Sequence, residues 1–200
     1  MLMAVFCLGA SLIGINAQEK DWANLQRYAQ QNAELPKPDK NEKRVVFMGN
    51  SITEGWVNTH PDFFKSNGYI GRGIGGQTSY QFLVRFREDV INLSPALVVI
   101  NAATNDIAEN TGAYHEDRTF GNIVSMVELA KANHIKVILT TTLPAAAFGW
   151  NPAIKDAPQK IASLNARLKA YAQTNKIPFV DYYSSMVSGS NKALNPAYTK

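Results

Sequence analysis

Five short apolar runs constrain this chain more than any other feature. They are Val45–Met48, Tyr69–Ile74, Leu97–Ile100, Val137–Leu139 and Phe179–Asp181. Most lack the polar alternation of a half-exposed strand, so they read as strands buried on both faces. Helical patterns fill the gaps between them. That order predicts an α/β fold: a five-stranded parallel sheet with helices on both faces, in a three-layer α/β/α sandwich.

The intervening segments carry their own signals. Thr78 with Gln81 three residues on forms a capping box, and Phe82, Phe86 and Val90 then mark one buried face before Ser94-Pro95. Ile123, Val127 and Ala130 mark a second helix, after a polar loop that runs to Arg118. Asp156 can cap a third, with Pro158 in its first turn and Ile161, Leu164, Leu168 and Tyr171 on its apolar side. Near the start, Trp22, Leu25 and Tyr28 share a face, which predicts a helix over Glu19–Gln31. Leu35–Lys40 reads as a linker, Asn58–Asp62 as irregular chain, and Ser184–Lys200 as a polar tail.

The first seventeen residues carry no charge and are too short for a comfortable membrane span of about 20 residues. They read as a signal-peptide core with Ala17 before the cleavage point, although the usual basic start is missing. The division expected is therefore a signal peptide over 1–17, a helix and linker over 18–43, and the main α/β domain over 44–200. Export to the periplasm or the medium follows, with no stable membrane insertion after cleavage. Cys7, in that segment, is the chain's one cysteine, so no thiolate metal site or disulfide is expected in the mature part. Lysines and arginines are scattered among acids, the net charge is only +4, and no basic block stands beside aromatics. A nucleic-acid partner is not expected.

In a parallel sheet, every loop that follows a strand lies at one edge, where such folds bind ligands. Three of these loops carry unusual chemistry. Ser51 follows the first strand, Gly75-Gly76 the second, and Asn105 the third. A hydroxyl that attacks an ester needs donors nearby for the oxyanion. The Ser51 N–H, the Gly76 N–H and the Asn105 amide would supply three. Each has a plainer reading alone: Ser51 as a helix N-cap, Gly75-Gly76 as a tight turn or phosphate loop, Asn105-Asp106 as an Asx turn. Convergence of all three is harder to explain that way. The glycine spacing at 73–76 does not give a dinucleotide-binding fingerprint.

Three blocks carry a specific resemblance: Gly49-Asn50-Ser51-Ile52, Gly73-Ile74-Gly75-Gly76-Gln77-Thr78 and Ala103-Thr104-Asn105-Asp106. In order and placement they resemble those of the SGNH hydrolases, also called GDSL-type esterases or lipases. The resemblance runs from Arg44 to the end. It is closest to the branch holding platelet-activating-factor acetylhydrolase-like proteins and bacterial sugar O-acetylesterases. It implies a flavodoxin-like sheet, Ser51 as nucleophile, Gly76 and Asn105 as oxyanion donors, and no cofactor or metal.

The chain departs from that pattern in three places. Asn50 stands where the family has an acid. Ala103 stands where it has a glycine, a replacement that strains the backbone if the position needs positive φ. The family's Asp-x-x-His near the C-terminus has no counterpart: none of His60, His115 and His134 has an aspartate three residues before it. Asn195–Lys200 resembles the segment that precedes that pair, which suggests a truncated frame with the last helix missing. His134, before the fourth strand, belongs to the edge opposite Ser51.

These readings predict a serine esterase acting on short acyl esters, preferentially acetyl esters of carbohydrates. Trp56, Asn58 and the Ala145–Trp150 loop are candidates for substrate contact, or for core packing. The alternative is a non-catalytic binding protein of the same fold that lacks the base. A nucleotide binder is a third class with no supporting charge.

Overall fold

The computed structural model describes residues 21–198. The expected signal peptide and the start of the expected first helix lie outside the described residues.

Five parallel strands form the sheet: β1 (Val45–Gly49), β2 (Tyr69–Gly73), β3 (Leu97–Ile100), β4 (Lys136–Thr140) and β5 (Phe179–Val180), in the order β2-β1-β3-β4-β5. The register sets Val46 beside Ile70 and Val98, and Ile100 beside Leu139. Helices cover both faces. Alternate strand residues divide between them, as the two-residue period of a strand requires. Val46, Met48, Val98, Ile100, Val137 and Leu139 join the main core. Against them pack α4 (Ser79–Asp89), α6 (Glu116–Ala132) and α7 (Ala157–Thr174), through residues such as Phe82, Phe86, Ile123, Met126, Ile161 and Leu164. On the opposite face, α2 (Ser51–Thr59) and α3 (Pro61–Ser66) close an aromatic cluster of Phe47, Trp56, Phe63, Phe64 and Tyr69. The three-layer α/β/α sandwich is as expected.

Several local expectations are corrected. The helix over Glu19–Gln31 is broken: Asn24 adopts φ 55°, a 3₁₀ turn spans Leu25–Arg27, and α1 covers only Ala29–Glu34. Tyr28 is buried, whereas Trp22 and Leu25 are exposed, so that apolar face is not one packing surface. The segment 58–62 is helical except at His60, because Pro61 suits the first turn of α3. The polar loop contains a helical turn, α5 (Thr104–Ile107), and α6 begins two residues before Arg118. Asp156 flanks α7 but makes no cap bond; its carboxylate pairs with Lys160 instead. The tail forms α8 (Tyr182–Met186) and a hairpin of β6 (Val187–Ser188) with β7 (Ala193–Leu194).

Candidate active site

Ser51 is the first residue of α2 and is exposed at the carboxyl end of β1. The N-cap is Asn50, whose Oδ1 accepts from the Ile52 N–H at 3.0 Å. A capping role for Ser51 is therefore excluded, and its hydroxyl is not engaged there. Asn50 keeps the bond across the turn without a charge. The Ser51 N–H belongs to the first turn, where helices leave donors unpaired, and no acceptor among the described residues takes it.

The second loop comes up against this turn. A methyl built on Gly75 would lie 3.8 Å from Ser51 Cβ. Glu54, one turn into α2, accepts the Gly75 N–H at 2.8 Å and thereby pins the loop to the serine helix. Gly76 has φ +76°, a conformation that glycine adopts at no steric penalty. Its carbonyl accepts from Asn110 Nδ2 at 2.9 Å, whereas its N–H has no acceptor among the described residues.

Asn105 lies in α5, just past β3, and is buried. Its Nδ2 donates to the Gln77 carbonyl at 2.9 Å, which ties the third loop to the second and leaves one amide hydrogen unused. Ala103 ends the preceding turn at φ 83° and is buried. The position does require the left-handed region, and this chain holds a strained alanine there, on the order of 1–2 kcal/mol. Ser51, Gly76 and Asn105 thus meet at one edge of the sheet, linked by Gly75 and Gln77.

Beside Asn105, Asp106 accepts from the Ser79 N–H, the Ser79 hydroxyl and the Thr119 hydroxyl. Burial pushes its carboxyl above the usual carboxylate range, and these donors oppose the shift. Asp106 fastens α5 to the starts of α4 and α6, a tie that sequence reading missed; its only signal was an acid next to Asn105.

No histidine among the described residues is bonded to Ser51. His60 follows the far end of α2, with Thr59 Oγ1 2.9 Å from its Nδ1. Nine residues of helix separate it from Ser51 by about 13 Å, at about 1.5 Å per residue. His115 flanks the start of α6 in a pocket with Tyr80, Tyr114 and Arg118. His134 lies among the opening residues of β3 and β4, at the opposite edge, as expected.

The aromatic candidates separate. Trp56 is half-buried, packed edge-on against Phe47 and Phe64 and stacked on Phe63, so its ring is held by the aromatic cluster. Asn58 lines a different pocket, with Arg72 and Tyr69. Trp150 is 62% exposed, and its indole N–H donates to Asn110 Oδ1 at 2.9 Å. Asn110 is the residue that holds the Gly76 carbonyl, so Trp150 stands fixed at the rim of the glycine loop. An apolar cavity of about 470 Å³ lies under α2, lined by Phe47, Ile52, Trp56, Val99, Met186 and Leu194 among others, and not by Ser51. Among the described residues there is no cluster of metal-ligating side chains and no helix long and apolar enough to cross a membrane.

Comparison with known proteins agrees with this architecture. A solved structure from Bacteroides fragilis NCTC 9343, assigned as an acylhydrolase, is 99% identical, covers 91% of this chain and 88% of its own, and superposes with a TM-score of 0.90. A GDSL-like lipase from Bacteroides thetaiotaomicron VPI-5482 is 78% identical, with coverage of 89% and 87% and a TM-score of 0.88. A Bacillus subtilis (strain 168) lipoprotein, YqeF, is 32% identical over 117 residues, 50% of this chain and 48% of that protein. The match thus spans about half the length of that curated relative. The model of the GDSL-like lipase/acylhydrolase family matches residues 47–198, and the chain belongs to that family.

Proposed function

We propose that the chain is a serine acylhydrolase for short acyl esters, with acetyl esters of carbohydrates as its substrates. The observation that carries this reading is the meeting of an exposed Ser51 with two unpaired N–H groups and the half-used Asn105 amide. Ser51 Oγ attacks the ester carbonyl carbon. The oxyanion that forms is held by the Ser51 and Gly76 N–H groups and the Asn105 amide, donors already fixed before reaction. Collapse expels the alcohol and leaves an acyl-serine, which water cleaves to the free acid. Two observations support the substrate class. The large apolar cavity is not lined by Ser51, which fits a short acyl group better than a long one. Trp150 offers an exposed ring at the rim, suited to the apolar face of a sugar. Export through residues 1–17 and the hydrolase domain over 44–200 belong to the same proposal.

The proton of Ser51 needs an acceptor, and none of the three histidines supplies one. The uncharged Asn50 and the left-handed Ala103, both departures from the family pattern, favour a second reading, a binding protein that keeps the crevice without turnover. Added imidazole separates the two. For the esterase, imidazole accelerates ethyl acetate hydrolysis by the chain, with saturation in ester, and Ser51→Ala abolishes the gain. For the binding protein, Ser51→Ala and the parent chain show the same rate with imidazole as imidazole alone.

A further inference from the structure

Among the described residues Arg85 is the largest fully buried side chain, at 0% exposure on α4. Its guanidinium makes four hydrogen bonds. Nε donates to Gln77 Oε1 at 2.7 Å and Nη1 to Asp89 Oδ2 at 2.8 Å. Nη2 donates to the Gly49 carbonyl at 3.0 Å and the Arg72 carbonyl at 2.9 Å. The Phe82 ring lies 5.2 Å from its centre.

The acceptors are informative by position. Gly49 ends β1, two residues before Ser51. Arg72 precedes Gly73 at the end of β2. Gln77 directly follows Gly76, and its own carbonyl receives Asn105. One planar cation therefore touches the strand that presents the serine and the strand that presents the glycine loop. It also touches the residue through which the third loop is tied. A buried ion pair with Asp89 alone would need only one of these bonds. The rigid fork of an arginine can reach two carbonyls at once, whereas a lysine ammonium is a point donor.

We propose that Arg85 is a positioning residue: it fixes the distance between Ser51 and the Gly76 and Asn105 donors by bridging Gly49, Arg72 and Gln77. It touches no reacting atom. The inference rests on the acylhydrolase reading for its catalytic consequence, but its geometric content stands apart from it.

The test uses two variants of the full chain. Arg85→Lys keeps the charge opposite Asp89 and removes the fork. Arg85→Met combined with Asp89→Leu removes both charges together, so that neither is left buried and unpaired, and with them every bond to Gly49, Arg72 and Gln77. Two readouts are taken on each below its melting point. One is the second-order rate of Ser51 labelling by a fluorophosphonate, with imidazole supplied as the base. The other is the set of amide resonances of Ser51, Gly76 and the Asn105 side chain. The expected result is a rate about 10–100-fold lower in both variants, the scale set by misplacements of about 1 Å, with all three resonances displaced. Wild-type rates with unmoved resonances in a folded variant overturn the proposal and leave Arg85 a purely structural residue. If the parent chain itself is not labelled even with imidazole supplied as the base, the nucleophile reading fails, and the resonances alone decide the positioning role.

Discussion

Gly73→Ala is the substitution whose effect can be worked most directly from the structure. Gly73 ends β2 beneath the first turn of α2. A methyl there would lie 2.3 Å from the Glu54 nitrogen, 2.6 Å from the Asn50 carbonyl oxygen and 2.9 Å from the Thr53 carbonyl carbon. All three are backbone atoms, so no side-chain rotation relieves the clash. Carbon contacts settle at about 3.5 Å, so the first turn of α2 must withdraw by roughly 1 Å. Overpacking of this kind typically costs about 1–3 kcal/mol. For a chain of this size that lowers Tm by about 2–12 °C. Ser51 opens the displaced turn, and a shift of about 1 Å is worth on the order of 100-fold in reactivity. Thermal unfolding followed by circular dichroism, with fluorophosphonate labelling of Ser51 at 20 °C in the presence of imidazole, measures both. A variant that melts within 1 °C of the parent and labels at the same rate refutes the contact between β2 and the serine turn.

Gly121→Ala, inside α6 with nothing within 4 Å of the added methyl, should raise stability by about 0.5–1 kcal/mol, read as a higher urea midpoint. Asp106→Asn should change the pH dependence of stability. Burial raises the folded carboxyl above the unfolded value, so the native state binds the proton more tightly, and the wild type loses stability as pH rises above about 3.8. The asparagine variant lacks that loss, so its Tm relative to wild type should climb between pH 4 and 7; a constant difference would contradict the buried environment. Trp150→Ala should weaken binding of an acetylated oligosaccharide about 10-fold or more, an aromatic anchor's usual scale, and leave Tm within about 2 °C, measured by calorimetric titration and melting.

The sheet was legible because its strands are buried on both faces and so read as apolar runs with little alternation. The capping box at Thr78 and the buried face of α4 were legible because cap and periodicity are local signals. The N-terminal helix is shorter than its apolar spacing predicts because its break comes from Asn24 in a left-handed conformation, which no apolar spacing reveals. Ser51 was separable from a cap only once Asn50 was seen to hold the Ile52 N–H. Two adjacent residues of suitable type leave that choice open in sequence. The convergence of Ser51, Gly76 and Asn105 on one edge followed from topology alone. The ties among them, through Glu54, Gln77 and Arg85, join residues 8–36 positions apart and carry no periodic signal. Trp56 and Trp150 looked alike as sequence. Only the packing of one against Phe47 and the exposure of the other separated them.

The strand order also bears on how the chain assembles as it leaves the ribosome. In the finished sheet β3 lies on the side of β1 away from β2, β4 on β3, and β5 on β4. No strand has to be threaded between two that are already joined. The sheet can therefore grow outward in the direction of synthesis, each new strand protecting the edge exposed by the last. Growth ends at a pairing of only two residues, Phe179 and Val180, too short to template another chain.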